Sequence, residues 1–503
     1  MAFSGYPQPA TRVSATRVSR GPACPSRSVR AAGRQMIAKC DGAVLAPRPA
    51  LLSHGAKPDP TGIGSNGQVT GQNRPLEGAW GMTALIFLFM LINFADKVVV
   101  GLAAQPIMAD LNLKPEQFGL IGSSFFFLFA LSAVIVGFIT NRVQTRHTLL
   151  VMAIVWSLVQ FPMLGTVSLE VLIACRIILG AGEGPASPVA THAIYKWFPD
   201  SHRGMPTAII AQGSALGVII AVPALNWIIV NYSWHWAFGA LGIAGLLWTA
   251  LWLIFGREGT LVDPPVRAGA HGGGERVPYR YLLTCPSIVA GCAAGFASYW
   301  GLALGLTWFT SYLVGGLGYS QQLGGNLSIL PWIFGMFVVL GGGAISQRLK
   351  KAGLSSRLSR GAFASATVIL GGCILPFVGS MPTPELKLAM VVVGGAIGST
   401  IYVVLPMIVS ELTPQPQRAA MLAITTSVVT LAGVLAPLVM GAMVQNAATP
   451  MAGYERGYVV LGALLIAGGL IGLLFIRPEH DRKRLAARAI ALLPLQPATV
   501  RSG

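Results

Sequence analysis

Apolar residues run through this chain in long blocks separated by short polar breaks. Twelve such blocks can be drawn, at roughly 80–107, 117–139, 148–166, 170–194, 205–230, 234–256, 284–313, 323–345, 361–381, 386–410, 419–444 and 455–476. A run of about 20 apolar residues makes a helix long enough to cross about 30 Å of hydrocarbon. The short alternating strands of a membrane β-barrel are absent from the pattern. The expected fold is therefore an all-α polytopic membrane protein with twelve transmembrane helices.

The polar breaks divide the blocks. Residues 1–75 are rich in Arg, Ser, Ala, Pro and Gly, with no acidic residue before Asp41. Such a segment cannot build a core, and a disordered tail is expected. Three readings of it stay open: a dispensable cytoplasmic tail, a start codon placed too early, or a transit peptide. The stretch "REGTLVDPPVRAGAHGGGERVPYR", residues 257–280, falls between blocks six and seven and reads as a cytoplasmic linker. That leaves six-helix bundles at 76–256 and 281–477 and a tail at 478–503. The halves echo each other: "GFITNRVQTRH" from Gly137 and "GAISQRLKKAG" from Gly343 each follow the second block of a half. Each places an amide (Asn141, Gln347) and then an Arg (Arg142, Arg348) after the glycine. Repeats of this kind are a common transporter signature.

Composition agrees with the pattern. The 503 residues are 53% hydrophobic and 10% charged, against about 25% charged in soluble proteins. A net charge of +18 invites a nucleic-acid reading, but its placement opposes one. With both termini cytoplasmic, the cytoplasmic loops and C-terminal tail hold 20 of the 35 Lys and Arg residues, and the N-terminal tail holds ten. The opposite side holds only Lys114, Lys387 and Arg456. That asymmetry is the positive-inside rule, so the basicity reports topology. The six cysteines show no metal-ligand spacing, and no disulfide or metal site is expected.

Four charges lie inside apolar blocks: Asp96 and Lys97 in "NFADKVVVGL", and Arg176 and Glu183 in block four. A charge at the bilayer centre costs about 2.5–3.5 kcal/mol on insertion scales and usually marks a substrate or ion pathway. Arg176 and Glu183 are seven residues apart and share a helix face. Two cations and two anions can thus converge on one interior cavity. The plainer alternative is a pair of static ion pairs, but small-residue packing could join helices without that cost. A carboxyl group taken out of water favours its neutral form and can carry a proton, while a fixed cation beside it can hold a carboxylate.

"RIILGAGEGPASP" (Arg176 to Pro188) followed by "WFPDSHRG" (Trp197 to Gly204) resembles the span-four signature of the anion:cation symporter family of the major facilitator superfamily. "NFADK", "AQGSALG", "WHWAF" and "SILP" fit the same family, over about residues 80–480. The resemblance implies two six-helix bundles working by alternating access, with a small organic anion, often a sugar acid, moved together with protons. It implies that Lys97 and Arg176 contact the substrate carboxylate and that Asp96 and Glu183 are the proton-coupling pair. No cofactor beyond the proton is implied, and a monomer in the inner membrane of a bacterium is expected. Some positions depart from the family. Lys97 replaces the usual Arg, which exchanges a bidentate fork for a point charge. Asn141 and Gln347 replace aspartates, His202 and His235 replace Glu and Arg, Thr310 replaces Pro, and Thr430 replaces an Asn.

Gln212 in block five, Tyr299 in block seven and Thr430 in block eleven complete the candidate substrate contacts. For Gln212 an interhelical hydrogen bond is an equal alternative. The aromatic residues of block seven (Tyr299, Trp300, Trp308, Tyr312) are of a kind more commonly found as core or interface anchors than lining a substrate site. His192 reads as structural. Export or antiport of an acid or drug is the rival within transport, and a non-transporting anion sensor is the rival outside it. No nucleophile–base set or metal cluster favours an enzyme.

Overall fold

The computed structural model describes residues 74–140, 142–261 and 277–490, all within one compact unit, Gly71–Gly503. Most of the basic N-terminal tail, Asn141, most of the expected linker at 257–280 and the end of the C-terminal tail lie outside the described residues.

Eleven helices among the described residues are long and apolar enough to cross a membrane. Numbered by their place among the expected twelve, they are span one (Ala79–Leu102), two (Pro115–Gly137), three (Thr145–Leu164), five (Gly204–Asn231) and six (Trp234–Phe255). The rest are seven (Pro286–Thr307), eight (Gln321–Lys351), nine (Arg357–Ser380), ten (Pro384–Leu412), eleven (Gln415–Gln445) and twelve (Pro450–Phe475). Span four corrects the sequence reading of a continuous run at 170–194. It is two helices, Leu169–Glu183 and Ala186–Tyr195, broken at Gly184-Pro185. Proline has no N–H to continue the ladder, and its ring opposes the preceding turn.

The break sits in a tight crossing with span two. A Cβ on Gly180 would lie 1.8 Å from the Phe125 carbonyl oxygen, and one on Gly184 would lie 2.1 Å from that of Phe129. Only glycine allows backbones so close, the small-xxx-small device of membrane helices.

The same neighbours recur in each half. Span one packs on five and six, two on four, and three on four and six. Correspondingly, seven packs on eleven and twelve, eight on ten, and nine on ten and twelve. Between the halves, span two meets eleven, five meets eight, and one meets seven.

Hydrogen bonds across this boundary gather at the end away from the basic loops. Gln321 donates to the Leu102 carbonyl (2.9 Å), Asn226 to the Gln322 carbonyl (3.0 Å), and Gln105 to Ser311 (2.7 Å). At the basic end each half has its own staple. Glu258 accepts from Lys196 (2.5 Å), Thr145 and Arg146 in the first half. Glu411 accepts from Arg360 (2.5 Å) and Ser356 (2.9 Å) in the second. A last helix, Pro478–Ile490, docks there through buried Asp481, which accepts from the Ser287 hydroxyl at 2.6 Å.

Candidate functional site

Span one carries three buried polar side chains close together, Asn93, Asp96 and Lys97. Lys97 is one turn beyond Asn93, so its ammonium reaches back to donate to the Asn93 carbonyl (3.3 Å) and side-chain oxygen. The same ammonium is 2.7 Å from Glu183 Oε2. Glu183 ends the first piece of span four, where the Gly180 and Gly184 crossing and the Gly-Pro break fix its position. Asp96, about 100° around the helix from Lys97, receives a hydrogen bond at 2.9 Å from Gln160 of span three. Arg176 donates to the Asp96 backbone carbonyl at 3.5 Å, and its guanidinium lies 4.7 Å from the Phe125 ring centre. The four charged residues that the sequence singled out are therefore gathered between spans one, three and four, and none is more than 7% exposed.

Two cations and two anions balance formally, but their hydrogen-bonding capacity is not used up. Asp96 Oδ2, Glu183 Oε1, Arg176 Nε and Asn93 Nδ2 are buried without a hydrogen-bond partner. Buried polar groups are nearly always satisfied, and a cluster of exceptions calls for a function. Chemically, the arrangement can accept a proton on either carboxylate and can offer both cations to an anion. Aromatic rings enclose the lysine: its ammonium is 4.5 Å from the centre of Phe94, 5.8 Å from Phe129 and 5.9 Å from Phe125. Such rings favour a cation while excluding water.

The other candidates lie elsewhere. Tyr299 reaches the boundary between the halves, edge-on to Phe126 at 6.0 Å, and Phe126 is next to Phe125. Thr430 is buried, and its hydroxyl donates to the Ser427 carbonyl of its own helix at 3.0 Å. It sits between Ser427, which bonds to Ala130 of span two, and Gly433, which abuts Phe126. Gln212 is half-buried beside Gly213, which packs on Phe87 and Met90 of span one. Phe87 and Met90 stand ten and seven residues before Lys97, about two to three turns along the helix. Trp308 donates to the Pro437 carbonyl at 3.0 Å, and Trp300 and Tyr312 are likewise buried. Sequence reasoning passed over Asn93, Gln160 and the phenylalanine cage. Asn93 stands at i−4 from Lys97, and Gln160 is a lone amide in an apolar run, so both left a trace. The phenylalanines looked like any lipid-facing residues. Among the described residues no group of three or more His, Cys, Asp or Glu could hold a metal ion.

The Major Facilitator Superfamily profile matches residues 85–384. A Bacillus subtilis hexuronate transporter is 28% identical over 411 residues, covering 79% of this chain and 95% of that protein. An Escherichia coli D-galactonate transporter is 24% identical over 413 residues, covering 78% and 94%. In fold, the chain is similar to a bacterial homologue of the human lysosomal transporter Spinster, crystallised inward-facing and unoccupied. That likeness has a TM-score of 0.69 at 18% identity and covers 80% of this chain and 98% of the other. The chain belongs to the Major Facilitator Superfamily, and is a multi-pass membrane transporter rather than an enzyme.

Proposed function

We propose that this superfamily member carries a small organic anion, a sugar acid or related monocarboxylate, into a bacterial cell together with protons. The observation that carries the reading is the buried Lys97–Glu183 pair at 2.7 Å, with Arg176 and Asp96 beside it and hydrogen-bonding capacity left over on all three partners of Lys97's neighbourhood. The named relatives, which transport hexuronate and D-galactonate, support an acid of that class. The basic loops face the cytoplasm of an inner-membrane protein, with both termini on that side, and the protein works as a monomer.

The mechanism follows from charge balance. With both carboxylates ionised the cluster is neutral, and one added anion would leave a net buried charge, which costs several kcal/mol. An anion that arrives with a proton restores neutrality. The proton goes to Glu183 or Asp96; a protonated Glu183 no longer holds the Lys97 ammonium, which turns to the substrate carboxylate beside Arg176. Only the empty and the doubly loaded clusters are neutral, so only these allow the two six-helix halves to change which side is open. Alternating access with one proton per monocarboxylate is the result.

The test is uptake of labelled D-galacturonate and D-galactonate by proteoliposomes holding the full chain, under an imposed inward proton gradient. Accumulation should require the gradient and be lost in Asp96→Asn and Glu183→Gln, with Asp96→Asn still exchanging substrate in counterflow. Gradient-driven accumulation by Glu183→Gln would refute the coupling assignment. Substrate binding that survives Arg176→Glu would remove Arg176 from the site.

A further inference from the structure

The last helix, Pro478–Ile490, is docked along one stripe and strongly basic beside it. Asp481 and Leu485, one turn apart, are buried, while Arg482, Lys483 and Arg484 between them are exposed. Arg488 continues the buried stripe, seven residues past Asp481. Its guanidinium stands 5.1 Å from the centre of the Tyr281 ring. Arg280 stands at the same ring, 4.8 Å from its centre, and donates to the Tyr281 hydroxyl at 3.2 Å. Two guanidiniums therefore share one ring. The acids of the helix are already taken, Asp481 by Ser287 and Glu479 by the backbone N–H groups of Ser356 and Arg357. Among the described residues, Arg280 and Arg488 make no ion pair.

The depth of this pair follows from its neighbours. The short helix Tyr279–Leu283 leads into span seven, which starts at Pro286, so Tyr281 is five residues from a membrane helix. Ser287 ties that start to the end of span twelve, its hydroxyl accepting from the Arg477 N–H at 2.8 Å. Leu283, Leu474 and Phe475 are exposed at this corner. Leu283 lies within about one turn of Arg280, so the surface passes from apolar to cationic as a leaflet passes from acyl chain to phosphate. A positive-inside bias accounts for the number of cations at this end, but not for two without acid partners meeting at one ring. Basic clusters beside a membrane helix recognise anionic lipid, and a guanidinium meets phosphate through two parallel hydrogen bonds. We propose that this corner binds an anionic phospholipid of the leaflet at the basic end. Arg280 and Arg488 hold its phosphate, and its acyl chains lie over Leu283, Leu474 and Phe475. The site is separate from the charge cluster and holds whatever the protein carries.

The test is native mass spectrometry of the full chain in detergent, titrated with phosphatidylglycerol and with phosphatidylcholine of the same acyl chains. Phosphatidylglycerol should bind the more tightly. Arg280→Gln/Arg488→Gln should weaken its binding about tenfold and leave phosphatidylcholine unchanged. Arg280 is exposed and Arg488 half-buried, so the fold is kept. Arg348→Gln/Lys351→Gln removes as much charge from another exposed stretch of the basic end, and should weaken binding less than about twofold. Equal losses in the two double variants would reveal a general attraction in place of a site, and would overturn the proposal. Equal binding of the two lipids by the unmutated protein would overturn it as well.

Discussion

The two halves use one pattern of helix contacts and fill it with opposite chemistry. Spans one, three and four of the first half enclose Asp96, Lys97, Arg176 and Glu183, whereas the buried charged residues include none from the spans of the second half. The second half answers with rings: Trp332 and Tyr299 meet Phe94 and Phe126 of the first half, and Tyr402 lies against Tyr299. This division has a physical logic. An ion pair shared between the halves would be broken each time they part, leaving buried charges uncompensated at about 3–5 kcal/mol per pair. Aromatic contacts cost far less to part, and they hold no fixed register. In the proposed cycle, keeping the charges within one bundle would let the boundary move without stranding Lys97, which is paired with Glu183 when empty and with the substrate carboxylate when loaded.

The largest expected effect breaks that arrangement at its centre. Lys97→Ala should abolish uptake and lower stability by about 3–5 kcal/mol, because Glu183 then stays buried without the ammonium that pairs with it at 2.7 Å. The double variant Lys97→Ala/Glu183→Ala should recover most of that stability, read as the midpoint of thermal unfolding in detergent, and still not transport. Tyr402→Phe, its counterpart across the boundary, should cost less than about 1 kcal/mol. Equal losses for Lys97→Ala and Tyr402→Phe would end the claim that the halves differ in what holds them.

A smaller effect separates two glycines, one from each half. Gly180→Ala drives a methyl to within 1.8 Å of a backbone oxygen, and backbone cannot rotate away. Span four must shift, carrying Arg176 and Glu183 with it, at about 1–3 kcal/mol. In the second half, Gly343→Ala would meet only the Val403 side chain at 3.3 Å. It should be nearly neutral in stability and in uptake. A Gly180→Ala protein with normal uptake would show that the span-two crossing does not position the site.

Much of this was legible because the bilayer is an unforgiving solvent. It demands long apolar runs, so eleven of the twelve expected spans appear as single helices. It penalises charge, so four residues stood out. The break in span four was written as Gly184-Pro185, yet hydrophobicity ran across it and the run read as continuous. Partners from distant spans left weaker traces. Gln160 reaches Asp96 across 64 positions, and nothing in either local sequence ties them together. Thr430 looked like a polar contact for substrate, but a hydroxyl in a helix can turn to a carbonyl one turn back, as it does to Ser427. Gln212 stood out by the same isolation that marked Gln160, and only packing tells that it lies a few turns from the charges.

The smallest effect lies at the basic end, where each half is stapled separately. Partial burial works against the charge on Glu258, but hydrogen bonds from Lys196, the Arg146 backbone and Thr145 outweigh it and hold its carboxyl below the ordinary glutamate value. A carboxyl group lowered in the folded state adds stability above its unfolded value of about 4.3, and loses it as pH falls through the folded value. Glu258→Gln should therefore cost about 1 kcal/mol at pH 7, a partly exposed ion pair with backbone bonds added. That gap should hold steady from about pH 8 down to pH 5 and close below about pH 4. Thermal unfolding of both proteins in detergent across that range measures it. A gap that widened in acid would mean that Glu258 is not held as the anion, and that the staple of the first half rests on Thr145 and Arg146 alone.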